Sequence, residues 1–423
     1  MRYRTRTVAS IAAAALLIVT GCSSSDDSSE TTSSGTSPSP SPFPFPSTST
    51  PADPGYAAEV KSAVEKVMKD NAIPGAIVVI KSAKQGDSTA TFGTQKVGED
   101  VPMSVDDYFR IGSITKTMTS TVILQLVQEG KLSLDDPIDK YRKGVPNGEN
   151  ITIAQLSEMR SGLFTYTADP GFDATLNNDP EKAWTPDELL DIAFSHPNVS
   201  APGEKYEYVN TNIILLGLVI EQLTGKSIEQ AFTERIFEPL GLKHTSFPAA
   251  TDTSIPDPHP QGYSFPSDEN EMSAADQKAA VDGKLKPADQ TNWNPSWGWT
   301  AGGAISTVGD LTTYIEAVVK GGLLDEKMQK IRLDSILPID PRAGYGLGIA
   351  RFGSLLGHDG QIPGFMTFAG YDPTSELTIV IATNLATVPA GEGTALAVLK
   401  GIMPIFYGPD GEPADPARLT PPR

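Results

Sequence analysis

The chain has 423 residues, 52 of them acidic against 33 basic, with a formal charge of −19, four histidines and a single cysteine. So acidic a surface repels nucleic acid and anionic headgroups, so no nucleic-acid partner is expected and surface charge cannot hold the protein to a membrane. One cysteine allows no internal disulfide, and stability must come from a core that about 350 residues are ample to build.

From the N-terminus, Arg2, Arg4 and Arg6 precede an apolar run from Val8 to Val19 and then Thr20-Gly21-Cys22. A basic start, a short apolar stretch and small residues make an export signal over 1–21, since the run falls short of the roughly 20 apolar residues a span needs. Val19-Thr20-Gly21-Cys22 resembles a bacterial lipobox, which implies that Cys22 becomes the lipidated first residue. The protein is then expected on the outer side of the cell membrane, held by its N-terminal lipid. Removal of 1–21 deletes three arginines and no acids, taking −19 to −22.

Residues 22–54 form a linker, almost wholly Ser, Thr, Pro, Asp and Gly after Cys22, with Phe43 and Phe45 in a proline series. Such a segment cannot build a core and is expected to be a disordered, semi-extended tether. The tail 409–423 is expected to be loose as well, leaving one domain over 55–408.

Within the domain, Ala57, Val60, Val64 and Val67 fall at helical spacing over Tyr56 to Asn71, and Pro74-Gly75 breaks the run before the strand-like Ala76–Ile80. Helices are expected around Ser113, over Thr152 to Met159, Asn212 to Leu223, Ser227 to Phe237 and Val308 to Lys320. Pro248 to Asn292 is long and polar, which suits a lid or binding loop, and Trp293, Trp297 and Trp299 follow it. Strands are expected over Tyr345 to Phe352, Leu355 to Gly360, Gly364 to Tyr371 and Leu377 to Thr383, in antiparallel hairpins. The predicted class is α/β (α+β): an antiparallel sheet flanked by helices, with a large helical region at about 111–300 inserted.

Three short motifs carry chemistry. Ser113-Ile114-Thr115-Lys116 puts a hydroxyl and an amine on one helix face, and a serine needs an adjacent base to become a nucleophile. It is the only Ser-x-x-Lys in the chain, and Tyr208-Val209-Asn210 is the only Tyr-x-Asn. His358-Asp359-Gly360 is the third, a weaker pattern placed by its order and strand-like context. Lys116 lies on a helix with few water-facing residues, so burial should lower its pKa toward that of a general base. No His-Glu-x-x-His or Gly-x-Ser-x-Gly occurs, so neither a metal site nor any other cofactor is expected and an α/β-hydrolase is disfavoured.

With their flanks, these motifs resemble the serine β-lactamase and penicillin-binding protein family, which includes class C β-lactamases, DD-carboxypeptidases and related esterases. Phe109 to Pro137, Pro202-Gly203-Glu204-Lys205-Tyr206, Trp299-Thr300-Ala301-Gly302-Gly303 and Gly357-His358-Asp359-Gly360 carry the likeness. The resemblance implies a β-lactamase/transpeptidase-like fold and a metal-independent hydrolase that forms an acyl-enzyme at Ser113. It implies Lys116 as base, Tyr208 as proton relay with its phenol pKa held down by nearby cations, and Asn210 as a substrate-amide ligand that also orients Lys116. It further implies that the backbone N–H groups of Ser113 and Gln361 form an oxyanion hole beside His358, Asp359 and Gly360.

Two departures bear on the substrate. His358 stands where many relatives have lysine, making a charge there depend on pH. Asp359 replaces a threonine that helps hold a substrate carboxylate, and an anion should repel one; Arg351 is one residue out of register from an arginine that assists in DD-carboxypeptidases. The leading expectation is a peptidoglycan-like D-amino-acid peptide or β-lactam acyl bond. The alternatives are an esterase or amidase for small neutral acyl substrates, and a non-catalytic binding or sensor module.

Overall fold

The computed structural model describes residues 53–265 and 272–408. The expected signal, Cys22, most of the linker and the tail fall outside the described residues.

Helix α1 (Ala57–Asn71) buries Val60, Val64 and Met68 at successive turns and ends where Ala72 turns left-handed, two residues before Pro74. The chain then enters β1 (Gly75–Ser82) and returns as β2 (Ser88–Gly93). After a long helical excursion it resumes the sheet as β3 (Leu337–Pro338), β4 (Ala343–Tyr345), β5 (Ala350–Phe352), β6 (Leu355–Ile362), β7 (Phe365–Asp372) and β8 (Leu377–Thr383). Spatial order is β2-β1-β8-β7-β6-β5-β4-β3, and every pairing is antiparallel. The first hairpin thus closes onto the last strand, joining the two ends of the domain.

Both faces of this sheet are covered. Ala76, Val78, Ile80, Phe368, Ile379 and Ile381 share a core with α1 and the C-terminal helix Thr394–Phe406, while Ile77, Val79, Ala369, Val380 and Ala382 face the helical region. Burial on both sides explains why β1, β7 and β8 read as continuous apolar runs rather than alternating ones. Helix Val308–Lys320 lies against β7 and β8, started by Thr307, whose hydroxyl accepts from Asp310 N–H, and stopped by Gly321.

Helix α2 (Thr115–Gln128) runs through the middle of the helical region, and α3 (Asn210–Thr224) packs against it. Eleven of the fourteen α2 residues are buried, including Thr115, Thr117, Thr119 and Thr121. Their hydroxyls are satisfied locally: Thr117 donates to Ile114 O and Thr121 to Thr117 O, each at 2.7 Å, and Thr119 donates to Thr300 O at 2.8 Å.

Several expected elements differ in detail. Tyr345 to Phe352 is two strands, not one, because Gly346 N–H bonds Ile349 O and Gly348 turns left-handed where a side chain would strike Ser120 Oγ on α2. The helix expected from Asn212 begins at Asn210, so the third residue of the Tyr-x-Asn motif opens α3. The segment from Pro248 to Asn292 holds helix Ala274–Val281 and the small ladder Tyr263–Ser264 with Ala288–Asp289, so it carries structure of its own.

Candidate active site

From Ile111 to Leu124 every residue is buried except Ser113. A single 3₁₀ turn, Gly112–Ile114, precedes α2 and lifts the serine to the open end of that buried helix. The turn is pinned from behind, since Ile111 N–H donates to Ala304 O at 3.0 Å and Ala304 N–H to Thr115 Oγ1 at 3.2 Å. Ser113 therefore combines a helix N-terminus, with its free N–H groups and favourable dipole, with access from solvent.

One turn on, Lys116 Nζ lies 2.8 Å from Ser113 Oγ and donates to Ala301 O at 2.7 Å. Its side chain is 1% exposed. Burial pulls its pKa down from the usual lysine range to about 7, while the Asp359 charge acts in the opposite sense. A neutral amine at this position donates one N–H to Ala301 and keeps its lone pair for the Ser113 proton, the geometry of a general base. The Ala301 carbonyl comes from the short helix Trp299–Gly302, which opens on Trp299 at φ +33, a backbone region that costs a bulky residue on the order of 1–3 kcal/mol.

The opposite wall is the free edge of β6. Pro363 and Gly364 join β6 to β7, with Ile362 facing Phe365 and Gln361 facing Met366. In such a two-residue hairpin the closing pair exchanges hydrogen bonds and the next does not, so Gln361 N–H points away from β7 toward the nucleophile turn. Contact there is very close. A Cβ on Gly360 would fall 1.9 Å from Ile111 O and 3.0 Å from Ser113 N, and one on Gly112 would fall 2.8 Å from Gln361 N. Two glycines thus let the amides of Ser113 and Gln361 approach one another, the arrangement an oxyanion hole requires.

A family model described as Beta-lactamase matches residues 60–401. The chain belongs to that family. It is similar to Protein flp of Staphylococcus aureus (strain MW2), 35% identical over 202 residues that make up 45% of this chain and 38% of that protein. The chain therefore matches about two fifths of the length of that relative. Among solved structures it is similar to a D-stereospecific amidohydrolase from Streptomyces sp., with TM-score 0.69, 30% identity and coverage of 80% of this chain and 97% of that one. D-amino acid amidase from Ochrobactrum anthropi SV3 gives 0.68, 28%, 81% and 98% respectively. The fold is thus that of the β-lactamase family, and the solved structures it resembles include hydrolases.

In this β-lactamase-family site the third motif behaves differently from the expectation. His358 Nδ1 lies 2.6 Å from the Asp359 carbonyl, which can only accept, so Nδ1 carries the proton. Nε2 is then the acceptor for the Tyr345 hydroxyl at 3.1 Å. Burial and the Lys116 charge push the imidazole pKa down to about 3, so His358 is neutral throughout the physiological range rather than a pH-dependent cation.

Tyr208 also departs from the expectation. Its ring lies 4.9 Å from Lys116 Nζ, but burial, with Tyr345 and Asp359 adding to it, pushes its phenol well above the usual value; a hydrogen bond with Ser113 pulls the other way. No cation holds it down, and Tyr208 enters as a neutral phenol. Asn210 sends Nδ2 to Thr167 Oγ1 at 3.2 Å and makes no hydrogen bond to Lys116 among the described residues. Orientation of Lys116 falls instead to Ala301 O.

Asp359 precedes Gly360, whose backbone lies against the Ser113 turn, and 31% of its side chain is exposed. Partial burial raises its carboxyl pKa, and Lys116 lowers it. Arg351 pairs with Leu356 across β5 and β6 and donates from Nη2 to Ala343 O at 3.2 Å, on the strand farther from Ser113. Trp297 and Trp299 pack partly buried against the main core. Among the described residues no cluster of three or more His, Cys, Asp and Glu side chains has metal-binding proximity. Sequence reasoning missed Tyr345, Ala301 and Arg332. Arg332 is a fully buried cation that donates to Thr121 Oγ1 at 2.9 Å, and its charge tempers the Tyr345 phenol. Ala301 sits in the quoted Trp299–Gly303 segment, but its carbonyl contact with Lys116 spans 185 positions, and no short motif announces Tyr345 or Arg332.

Proposed function

We propose that this chain hydrolyses amide bonds of D-amino-acid derivatives through an acyl-enzyme at Ser113. The observation that carries the chemistry is Lys116 Nζ at 2.8 Å from Ser113 Oγ with its pKa drawn down to about 7. The substrate class is supported by the likeness to a D-stereospecific amidohydrolase and a D-amino acid amidase.

Neutral Lys116 takes the Ser113 proton as Oγ attacks the carbonyl carbon, and the Ser113 and Gln361 N–H groups bind the oxyanion. As the intermediate collapses, the carbon–nitrogen bond breaks. Tyr208 gives its proton to the leaving nitrogen and recovers one from the Lys116 ammonium, so both side chains end neutral. Water then repeats the cycle on the ester: Lys116 takes its proton and returns it to Ser113 Oγ on departure.

Ser113→Ala should lower kcat on D-amino-acid amides by at least about 10⁴-fold and abolish the acyl adduct in mass spectrometry of the intact protein. Retained turnover, or an adduct on a different residue, would overturn the assignment. A panel of D- and L-phenylalanine amide, a D-Ala-D-Ala peptide, a cephalosporin and a nitrophenyl ester tests the substrate class. L-selectivity, or turnover of the ester alone, counts against it. We further propose that the enzyme works outside the cell membrane, tethered by lipid on Cys22, a reading supported by the basic and apolar N-terminus and the Ser/Thr/Pro linker.

A further inference from the structure

We infer that Asp359 is the specificity determinant of this site and selects acyl donors that carry a free ammonium group beside the scissile bond, against those that carry a carboxylate. The inference rests on the hydrolase reading above and deepens it by naming the charge of the substrate.

Asp359 lies between His358 and Gly360 on the free edge of β6, one residue before the backbone of Gly360 that touches Ser113. Its carboxylate has no cation within 4 Å among the described residues apart from the His358 ring at 3.6 Å, which is neutral. The donor it does meet is its own backbone amide. Its charge reaches Lys116 from α2, Tyr206 and Tyr208 from the segment before α3, and Tyr345 from β4. An anion that is partly open to solvent, adjoins the Gly360 backbone that touches the Ser113 turn and has no cationic partner is an acceptor for a donor from the substrate.

The surroundings agree in sign. Lys116 is occupied by Ser113 and Ala301, His358 is neutral, and Arg351 is turned to Ala343, so none of them is free to receive a substrate carboxylate. Arg160, whose charge also reaches Tyr206, has Glu158 as a neighbouring acid. The Tyr206 hydroxyl is buried with no hydrogen-bond partner, and its ring centroid is 5.7 Å from that of Tyr345, which is itself 6.4 Å from Tyr208. Two partly exposed rings, Tyr206 and Tyr208, backed by the buried Tyr345, and a carboxylate favour an ammonium through its charge and through the ring faces. A bound ammonium in turn favours the ionised form of Asp359.

The test measures kcat/KM of the full chain for D-phenylalanine amide, N-acetyl-D-phenylalanine amide and N-acetyl-D-Ala-D-Ala, in wild type and Asp359→Asn, at one pH and ionic strength. Wild type should favour the ammonium substrate over its neutral N-acetyl analogue. Asp359→Asn should lower that ratio at least about tenfold and shift preference toward the carboxylate substrate. Any effect of the substitution on Lys116 acts on all three substrates and divides out. An unchanged ratio, or a wild-type preference for the carboxylate, overturns the inference while leaving the hydrolase reading standing. No turnover of any of the three, by an enzyme active on other acyl donors, overturns the D-amino-acid reading and this inference with it. Calorimetry of D-phenylalanine amide against its N-acetyl form on Ser113→Ala gives a second readout independent of the Asn variant: equal affinity for the two sinks the proposal.

Discussion

At the scale of single residues, the site works by desolvation. Lys116 needs no neighbouring cation to lose its proton near neutrality; removal of its ammonium from water is enough, and Asp359 limits the fall. The sign of the pH dependence follows. Lys116, the proposed base, can accept a proton only when neutral, so kcat/KM should fall about tenfold per pH unit below about 7 and level off above it. Lys116→Arg should remove this limb with a loss of about 10²–10⁴-fold, because a guanidinium keeps its proton at any working pH. A pH–rate profile from 5 to 9 checks both, and a flat profile in wild type would assign the base elsewhere. The residue types at Ser113 and Lys116 made this legible from sequence. The neutrality of His358 was not, because it depends on the burial of the ring and on the charge of Lys116, 242 positions away in the chain but packed close to it.

At the scale of elements, the proposed oxyanion hole depends on how closely β6 approaches the turn before α2. Gly360 has no room for a methyl group against Ile111 O, 1.9 Å from where its Cβ would lie. Gly360→Ala should therefore force the strand and the turn apart. A displacement near 1 Å would lower kcat/KM by at least about 10²-fold, with a stability loss of about 1–3 kcal/mol. Gly309→Ala, whose Cβ would meet nothing nearer than 3.9 Å, should leave activity and thermal unfolding close to wild type. If Gly360→Ala matched the Gly309 control in both assays, the proposed oxyanion geometry would be wrong. Sequence marked Gly360 as part of a motif, but not its opposing partner Gly112. The need for two facing glycines arises only when strand and turn meet. Likewise Tyr345 to Phe352 reads as one strand by composition and is broken only because Gly348 must clear Ser120 on α2.

At the scale of the whole molecule, the contacts that build the site all come from residues between Ile111 and Gln361, well inside the folded domain. Cys22 is separated from them by the linker that composition assigns to residues 23–54. Anchoring and catalysis should be independent. Cys22→Ser should move the protein from the membrane to the soluble fraction of its host while the purified enzyme keeps the wild-type kcat/KM. Continued tight membrane association would show that the lipobox resemblance misled. Among the described residues no helix is long and apolar enough to cross a membrane.

The sequence by itself determined what lies within one helical turn or one strand. Ser113 and Lys116 meet because residues three apart share a helix face, and the apolar runs at Ala76–Ile80 and Leu377–Thr383 had to be buried strands. It also determined the order of the three motifs and, through them, the family. Tertiary structure alone decided which carbonyl holds Lys116, which hydroxyl meets His358 Nε2, that Tyr208 stays protonated, and that Arg351 turns to Ala343. Each of these is a contact between chain segments or a degree of burial. Both depend on how the layers pack, and packing is a property of the folded whole that no local spacing encodes.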